Sequence, residues 1–323
     1  MNEAVLITGG AGYIGAHATR ELIASGRRVR VLDSLLHGQR AVAVELEREG
    51  VEVIEGDLRD GTARAGALLG VDAVVHLAAI VGDPACARDA QLSHDVNVGG
   101  STALVADAEA AGVTRFVFAS TCSNYGRMLD PTTPISEDGE LRPVSLYAAQ
   151  KVQIEEMLLG LQSDTLHPTC LRFATVYGAA PRMRFDLTVN EFTRDLWAGR
   201  DLEVFGEQFW RPYVHARDVA AAIRMVLDAP LESVDREVYN VGRSSENYRK
   251  LDLVEKIREH VSAGEVHYVS RSQDPRDYKV SFEKIRTRLG FETTMTVPDG
   301  IAELVRDLEA GSFGDPYDPG FRN

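Results

Sequence analysis

Tyr147 and Lys151 stand four residues apart in Leu146-Tyr147-Ala148-Ala149-Gln150-Lys151, and in a helical segment that spacing places a phenol and an ammonium on one face. A phenol near its ordinary pKa of about 10 is a poor base at neutral pH, but neighbouring positive charge favours the phenolate. The pair therefore suits proton transfer to and from a hydroxyl or carbonyl oxygen. Upstream, Phe116-Val117-Phe118-Ala119-Ser120-Thr121 reads as a strand ending on two hydroxyls, which makes Thr121 a third candidate for this chemistry. Its bland alternative is a turn or helix-capping hydroxyl, a common use of Ser/Thr clusters.

Oxidising a carbon-bound hydroxyl requires a hydride acceptor, and Thr8-Gly9-Gly10-Ala11-Gly12-Tyr13-Ile14-Gly15 offers a seat for one. Gly9 permits a tight turn, Gly12 lets backbone N–H groups approach a pyrophosphate, and Gly15 lets the following helix pack closely, its positive end facing the phosphates. Asp33 ends the next strand 18 residues beyond Gly15, where a dinucleotide site expects an acid for the adenosine ribose hydroxyls. Its carboxylate favours NAD, because a 2′-phosphate would meet like charge there; Arg40 and His37 lie close enough in sequence to soften that repulsion. Strand, glycine turn, helix and acid in this order predict a bound NAD.

These residues need a scaffold, and the chain alternates short β-branched runs with longer helical stretches. Ala4–Thr8, Arg28–Asp33, Val51–Glu55, Ala73–Leu77, Arg115–Ala119 and Pro168–Phe173 read as strands; His17–Ser25, Val98–Ala111 and Leu146–Leu161 are long enough to cross over a sheet. Right-handed crossovers then give an α/β fold, a doubly wound parallel (Rossmann) sheet with binding at the carboxyl ends of its strands. With 323 residues there is room for that domain plus a smaller mixed C-terminal lobe. Hydrophobic residues make up 44% and charged residues 26%, with no run long enough for a membrane span. The start of the sequence lacks a secretory pattern, so a cytoplasmic location is expected. A net charge of −14 excludes general affinity for nucleic acid. Cys86, Cys122 and Cys170 show neither CxxC nor Cys/His spacing, so neither metal nor disulfide framework is expected. The Gly311–Asn323 tail reads as irregular and mobile.

With these motifs in order, the chain resembles the extended short-chain dehydrogenase/reductases, the group that contains nucleotide-sugar epimerases, 4,6-dehydratases, decarboxylases and ketoreductases. The resemblance covers nearly the whole chain. It includes Gly56-Asp57-Leu58-Arg59-Asp60, like the stretch whose acid meets adenine and whose next residue packs on it, and His76-Leu77-Ala78-Ala79, like the strand end beside the cofactor. It also includes Asn97, at a helix position that supports the active site. The resemblance implies that Ser120 approaches the nicotinamide, that Thr121 bonds the reacting sugar oxygen, and that Lys151 also holds the nicotinamide ribose. It implies further that Arg211, in Trp210-Arg211-Pro212-Tyr213, and Arg276, in Asp274-Pro275-Arg276-Asp277, clamp a nucleotide diphosphate.

Departures narrow the activity. The 4,6-dehydratases follow the threonine with Asp and Glu, but here Cys122 and Ser123 follow Thr121. The double epimerase-reductases pair such a cysteine with a later histidine, which Val176–Arg182 does not offer. Thr175 stands where many epimerases carry an asparagine on the diphosphate, with Arg182, Arg184 and Asn190 nearby as substitutes. The expected activity is C4 epimerisation of a nucleotide-diphosphate sugar through a transient 4-keto sugar. The alternatives are a 4-ketoreductase or dehydrogenase with exchangeable cofactor, and a dinucleotide-binding sensor without turnover. The expected lobes are 1–178 with 212–242 for the cofactor, and 179–211 with 243–323 for the substrate. A homodimer joined through the segments Val98–Ala111 and Leu146–Leu161 is expected from the same resemblance.

Overall fold

The computed structural model of the chain describes residues 3–128, 132–269 and 276–323; Asp274 and Pro275 of the second arginine motif lie outside them. The apolar runs become β1 (Ala4–Thr8), β2 (Arg28–Asp33), β3 (Glu52–Glu55), β4 (Ala73–His76), β5 (Arg115–Thr121) and β6 (His167–Phe173). Past β6 the chain leaves this sheet to build β7 (Thr175–Tyr177), β8 (Leu202–Phe205) and β9 (Trp210–His215), then returns with β10 (Glu237–Val241). The result is a seven-stranded parallel sheet in the order β10-β6-β5-β4-β1-β2-β3. The order reverses between β1 and β4, the crevice where a doubly wound sheet binds its ligand.

Alternation along each strand feeds two cores. Val5 and Ile7 join Val31, Val75 and Val117 on one face, while Leu6 joins Leu32, Val74 and Phe116 on the other. The first core is covered by helices Gly15–Ala24 and Ala216–Asp228, which pack on each other although one follows β1 and the other follows β9. The second is covered by Gly61–Leu68, Ser101–Ala110 and Leu146–Leu159. The helix expected from Val98 starts instead as a π-helical stretch, Asp95–Gly100. In it Asn97 reaches Ile80, accepting from its N–H (2.7 Å) and donating to its carbonyl (2.9 Å).

β11 (Asn247–Arg249) and β12 (Val266–Val269) complete two small sheets, β11-β9-β7 and β12-β8. With helices Thr188–Trp197, Lys250–Arg258 and Val297–Glu309 they enclose a third core containing Tyr177, Phe185, Leu196, Val204, Leu253 and Leu304. Tyr13 of the glycine turn is buried in this same core. The tail departs from expectation. Phe313 and Phe321 stand edge-on to Phe185 at ring distances of 5.2 and 5.6 Å, and Phe185 N donates to Phe321 O at 2.9 Å. Aromatic burial anchors a segment whose Gly and Pro content suggested mobility.

Candidate active site

The glycine turn is built by close approach. Gly9 has φ +74°, and a Cβ on it would lie 2.8 Å from Ala78 N, beside β4. A Cβ on Gly15 would lie 2.0 Å from Gly9 O, so this glycine fits the helix against the turn itself rather than against the strand. Behind the turn, His76 lies 2.7 Å from Thr8 Oγ1 and 2.8 Å from Ser101 Oγ. Ser101 gives its own proton to Asn97 O, so His76 donates from Nε2 and accepts from Thr8 at Nδ1, as a neutral ring. Burial, followed by the charge of Lys151, lowers its pKa to about 3. Asp33 is 6% exposed and accepts from Ala11 N (3.0 Å) and Leu35 N (2.9 Å). Desolvation raises its pKa against those two bonds.

Turn and acid open onto a cavity of about 550 Å³. It is lined by Gly9, Gly12, Tyr13, Ile14, Gly15 and Asp33, by Asp57, Leu58, Leu77, Ala78 and Ala79, and by Ser120, Tyr147 and Lys151. These residues fit NAD: a tight turn whose Gly9 and Gly15 have no room for a Cβ, an acid at the ribose end, and a phenol and an ammonium farther along the same cavity.

Helix Leu146–Leu159 positions that pair and is capped by Ser145, whose side chain accepts from Ala148 N. Lys151 is 5% exposed; its Nζ donates to Ala119 O at 2.7 Å and lies 5.8 Å from the centre of the Tyr147 ring. Burial lowers its pKa to about 8, so it stays cationic at neutral pH by a narrow margin. Tyr147 moves the other way, because desolvation raises its phenol pKa more than the charge of Arg184 lowers it. One of the three Lys151 donors is taken by Ala119 O, and desolvation of the phenol opposes the phenolate that the lysine's charge favours.

Thr121 ends β5, but it does not line the cavity; its Oγ1 accepts from Ser123 N at 3.1 Å, capping the short helix Cys122–Tyr125. The hydroxyl proton remains to be given. Asn97 also lies behind the cavity, donating to Gln150 Oε1 at 2.9 Å and so tying the end of β4 to the Tyr147 helix. Asn190 is a correction. It is fully buried, and its amide accepts from Gly178 N (3.0 Å) and donates to Tyr13 OH (3.1 Å) and Arg184 O (2.9 Å). With its amide groups thus engaged, Asn190 organises the loop after β7 and does not face a substrate.

Arg211 is 5% exposed, donates to Trp210 O at 2.7 Å and sits 5.0 Å from the centre of the Tyr278 ring. Arg276 pairs with Asp83 at 3.1 Å, so each of the two expected clamp arginines already has a contact within the protein. Cys122 is 1% exposed and its thiol donates to Arg172 O at 3.2 Å; burial raises its pKa, which keeps it a neutral interior group. Sequence reasoning missed three features. Glu155, one helical turn beyond Lys151, accepts from Ser120 Oγ at 2.7 Å and forms a buried ion pair with Arg172. Arg182 and Arg184 line the cofactor cavity rather than a sugar site. Asp83 acts electrostatically on Tyr147. An acid four residues after the lysine on an otherwise buried face was the one available signal for Glu155.

The chain belongs to the NAD dependent epimerase/dehydratase family, whose model matches residues 5–242. It is 30% identical to a UDP-glucose 4-epimerase of Bacillus subtilis over 94% of this chain and 95% of that protein. Among solved structures it resembles the UDP-glucose 4-epimerase of Thermus thermophilus in complex with NAD, at 28% identity and a TM-score of 0.83, covering 95% of this chain and 99% of the other. It also resembles a dTDP-glucose 4,6-dehydratase of Streptomyces venezuelae determined with NAD, at 29% identity and a TM-score of 0.86, covering 97% and 99%.

Proposed function

We propose that the protein is an NAD-dependent epimerase acting at C4 of a nucleotide-diphosphate sugar. The observation that carries this reading is the single cavity shared by the glycine turn, Asp33, Ser120, Tyr147 and Lys151. Bound NAD supplies a reversible hydride acceptor. Asp33 and the glycine turn bind it, Leu58 flanks the base beside Asp57, and Lys151 holds the ribose near Ser120. Tyr147, as the phenolate that the charge of Lys151 favours, takes the proton of the sugar 4-hydroxyl on oxidation and returns it on reduction, and Thr121 donates its hydroxyl proton in a hydrogen bond to the same oxygen. Arg211 and Arg276 hold the diphosphate, which leaves the hexose free to turn as a 4-keto sugar and present its other face. Elimination of water is disfavoured because the positions after Thr121 are an interior neutral thiol and Ser123, whose hydroxyl lies 3.3 Å from Tyr278 OH.

The test is to purify the protein without added nucleotide, assay it for retained NAD, and offer UDP- and dTDP-hexoses without external cofactor. Interconversion of 4-epimers is expected. If the protein carries no NAD, interconverts none of them and instead oxidises NADH against a 4-keto sugar, it is a ketoreductase. If it binds NAD and no catalytic turnover survives in any assay, the sensor reading holds.

Two lobes follow the chemistry, 1–178 with 212–242 around NAD and 179–211 with 243–323 around the sugar nucleotide, with Arg182 and Arg184 of the second lobe reaching the NAD cavity. Among the described residues no helix is long and apolar enough to cross a membrane, and we place the protein in the cytoplasm. Helices Ser101–Ala110 and Leu146–Leu159 lie on one face, with Val144 and Leu146 exposed beside them, and are the faces proposed to meet in a homodimer. Light scattering at micromolar concentration is expected to give twice the chain mass; the mass of one chain rejects the dimer.

A further inference from the structure

Arg182 is a buried cation without a direct anionic partner among the described residues. The residue is 6% exposed, and among the described residues it makes no ion pair. Its Nη2 donates to a neutral acceptor, Arg322 O, at 2.8 Å, and its Nε is buried without a hydrogen-bond partner. The adjacent Arg184 is already neutralised by a two-pronged pair with Asp186, at 3.0 and 2.6 Å. Removing a guanidinium from water without a matching anion is costly. Burial, followed by the charge of Arg184, lowers the Arg182 pKa to about 10 although the more distant charges of Asp186 and Asp33 oppose it.

The position of this cation identifies the anion it lacks. Arg182 lines the same cavity as Gly9, Gly12 and Asp33, but it comes from the loop that follows β7. The glycine turn can offer a pyrophosphate backbone amides and a helix end, with no full positive charge of its own. Asp33 argues against a 2′-phosphate as the missing anion, since its carboxylate is buried at the ribose end. The docked tail fixes the arginine from behind through the Arg322 carbonyl, which limits the entropy lost when a phosphate binds.

We propose that Arg182 is a ligand of the cofactor pyrophosphate, reaching it from the loop after β7. This rests on NAD as the cofactor and is independent of which sugar is turned over.

The test uses protein freed of nucleotide, titrated by calorimetry with NAD, ADP-ribose and adenosine. Arg182→Gln is expected to weaken NAD and ADP-ribose alike by roughly 10- to 100-fold, the range for losing a charge-assisted bond, and to leave adenosine unchanged. Arg182→Lys is expected to regain most of the loss, as a point charge still serves a phosphate. In the unaltered protein, inorganic pyrophosphate should compete with ADP-ribose, an arm that does not depend on a variant folding. An equal loss for adenosine, undiminished NAD binding in Arg182→Gln, or no competition by pyrophosphate would overturn the assignment. Protein that binds NAD normally yet fails to epimerise would sink the proposed activity and leave this inference standing.

Discussion

At the adenosine end of the cavity the acid and the turn are held by the backbone, Asp33 on the amides of Ala11 and Leu35 and Gly9 against Ala78, with a side-chain bond from Thr8 to a neutral His76 behind them. At the sugar end Arg276 rests on Asp83, an anion that a substrate diphosphate would compete with. The first arrangement stores binding energy as preorganisation, and the second spends part of it on exchange. An epimerase needs that difference, since the dinucleotide must stay fixed while the hexose turns over.

The contrast can be broken most sharply at Tyr147. Tyr147→Phe is expected to lower turnover by roughly 10²- to 10⁴-fold, the usual weight of a general acid/base, while a calorimetric NAD titration stays unchanged. A parallel loss of NAD affinity would show that the two ends are not separable. Lys151→Met tests the cost of burying a cation, whose pKa falls from 10.5 to about 8. At neutral pH the variant should be inactive yet more stable to urea, by at most about 3.4 kcal/mol at 1.36 kcal/mol per pKa unit. Because the folded pKa lies below the unfolded one, the native protein recovers that penalty as pH rises from about 8 to 10.5, so the advantage of the variant must shrink over that window. A gap that widens there contradicts the burial argument. The smallest effect belongs to Asp83→Asn, which removes the anion holding Arg276. UDP alone should then bind tighter, by roughly twofold to tenfold, as for a partly exposed ion pair; weaker binding would mean that Asp83 orients Arg276 rather than restrains it.

What the sequence made legible was short-range or fully apolar. The glycine turn lies within eight residues, Tyr147 and Lys151 share a helix face, and strands buried on both sides read as continuous runs such as Ala4–Thr8. What it concealed depends on partners remote in the chain. Nothing near Asn190 indicates that its amide would be engaged by Gly178, Tyr13 and Arg184. Nothing near Arg276 indicates Asp83, and Arg182 resembles any loop arginine until the fold lays it against the cofactor cavity. The tail misled for a related reason, since Gly and Pro report turns but not where Phe313 and Phe321 will pack.

The late return of β10 to β6 bears on how the protein must be made. As the chain emerges during synthesis, the nucleotide half stays unfinished through the whole excursion of β7, β8 and β9, with the apolar β6 exposed as an unpaired margin. Such margins invite stray pairing with other molecules, and long-range parallel pairing is slow to form. A fragment severed between β6 and β10 would keep the glycine turn, Tyr147 and Lys151 and still be prone to aggregate, so engineered splits of this enzyme belong after Val241.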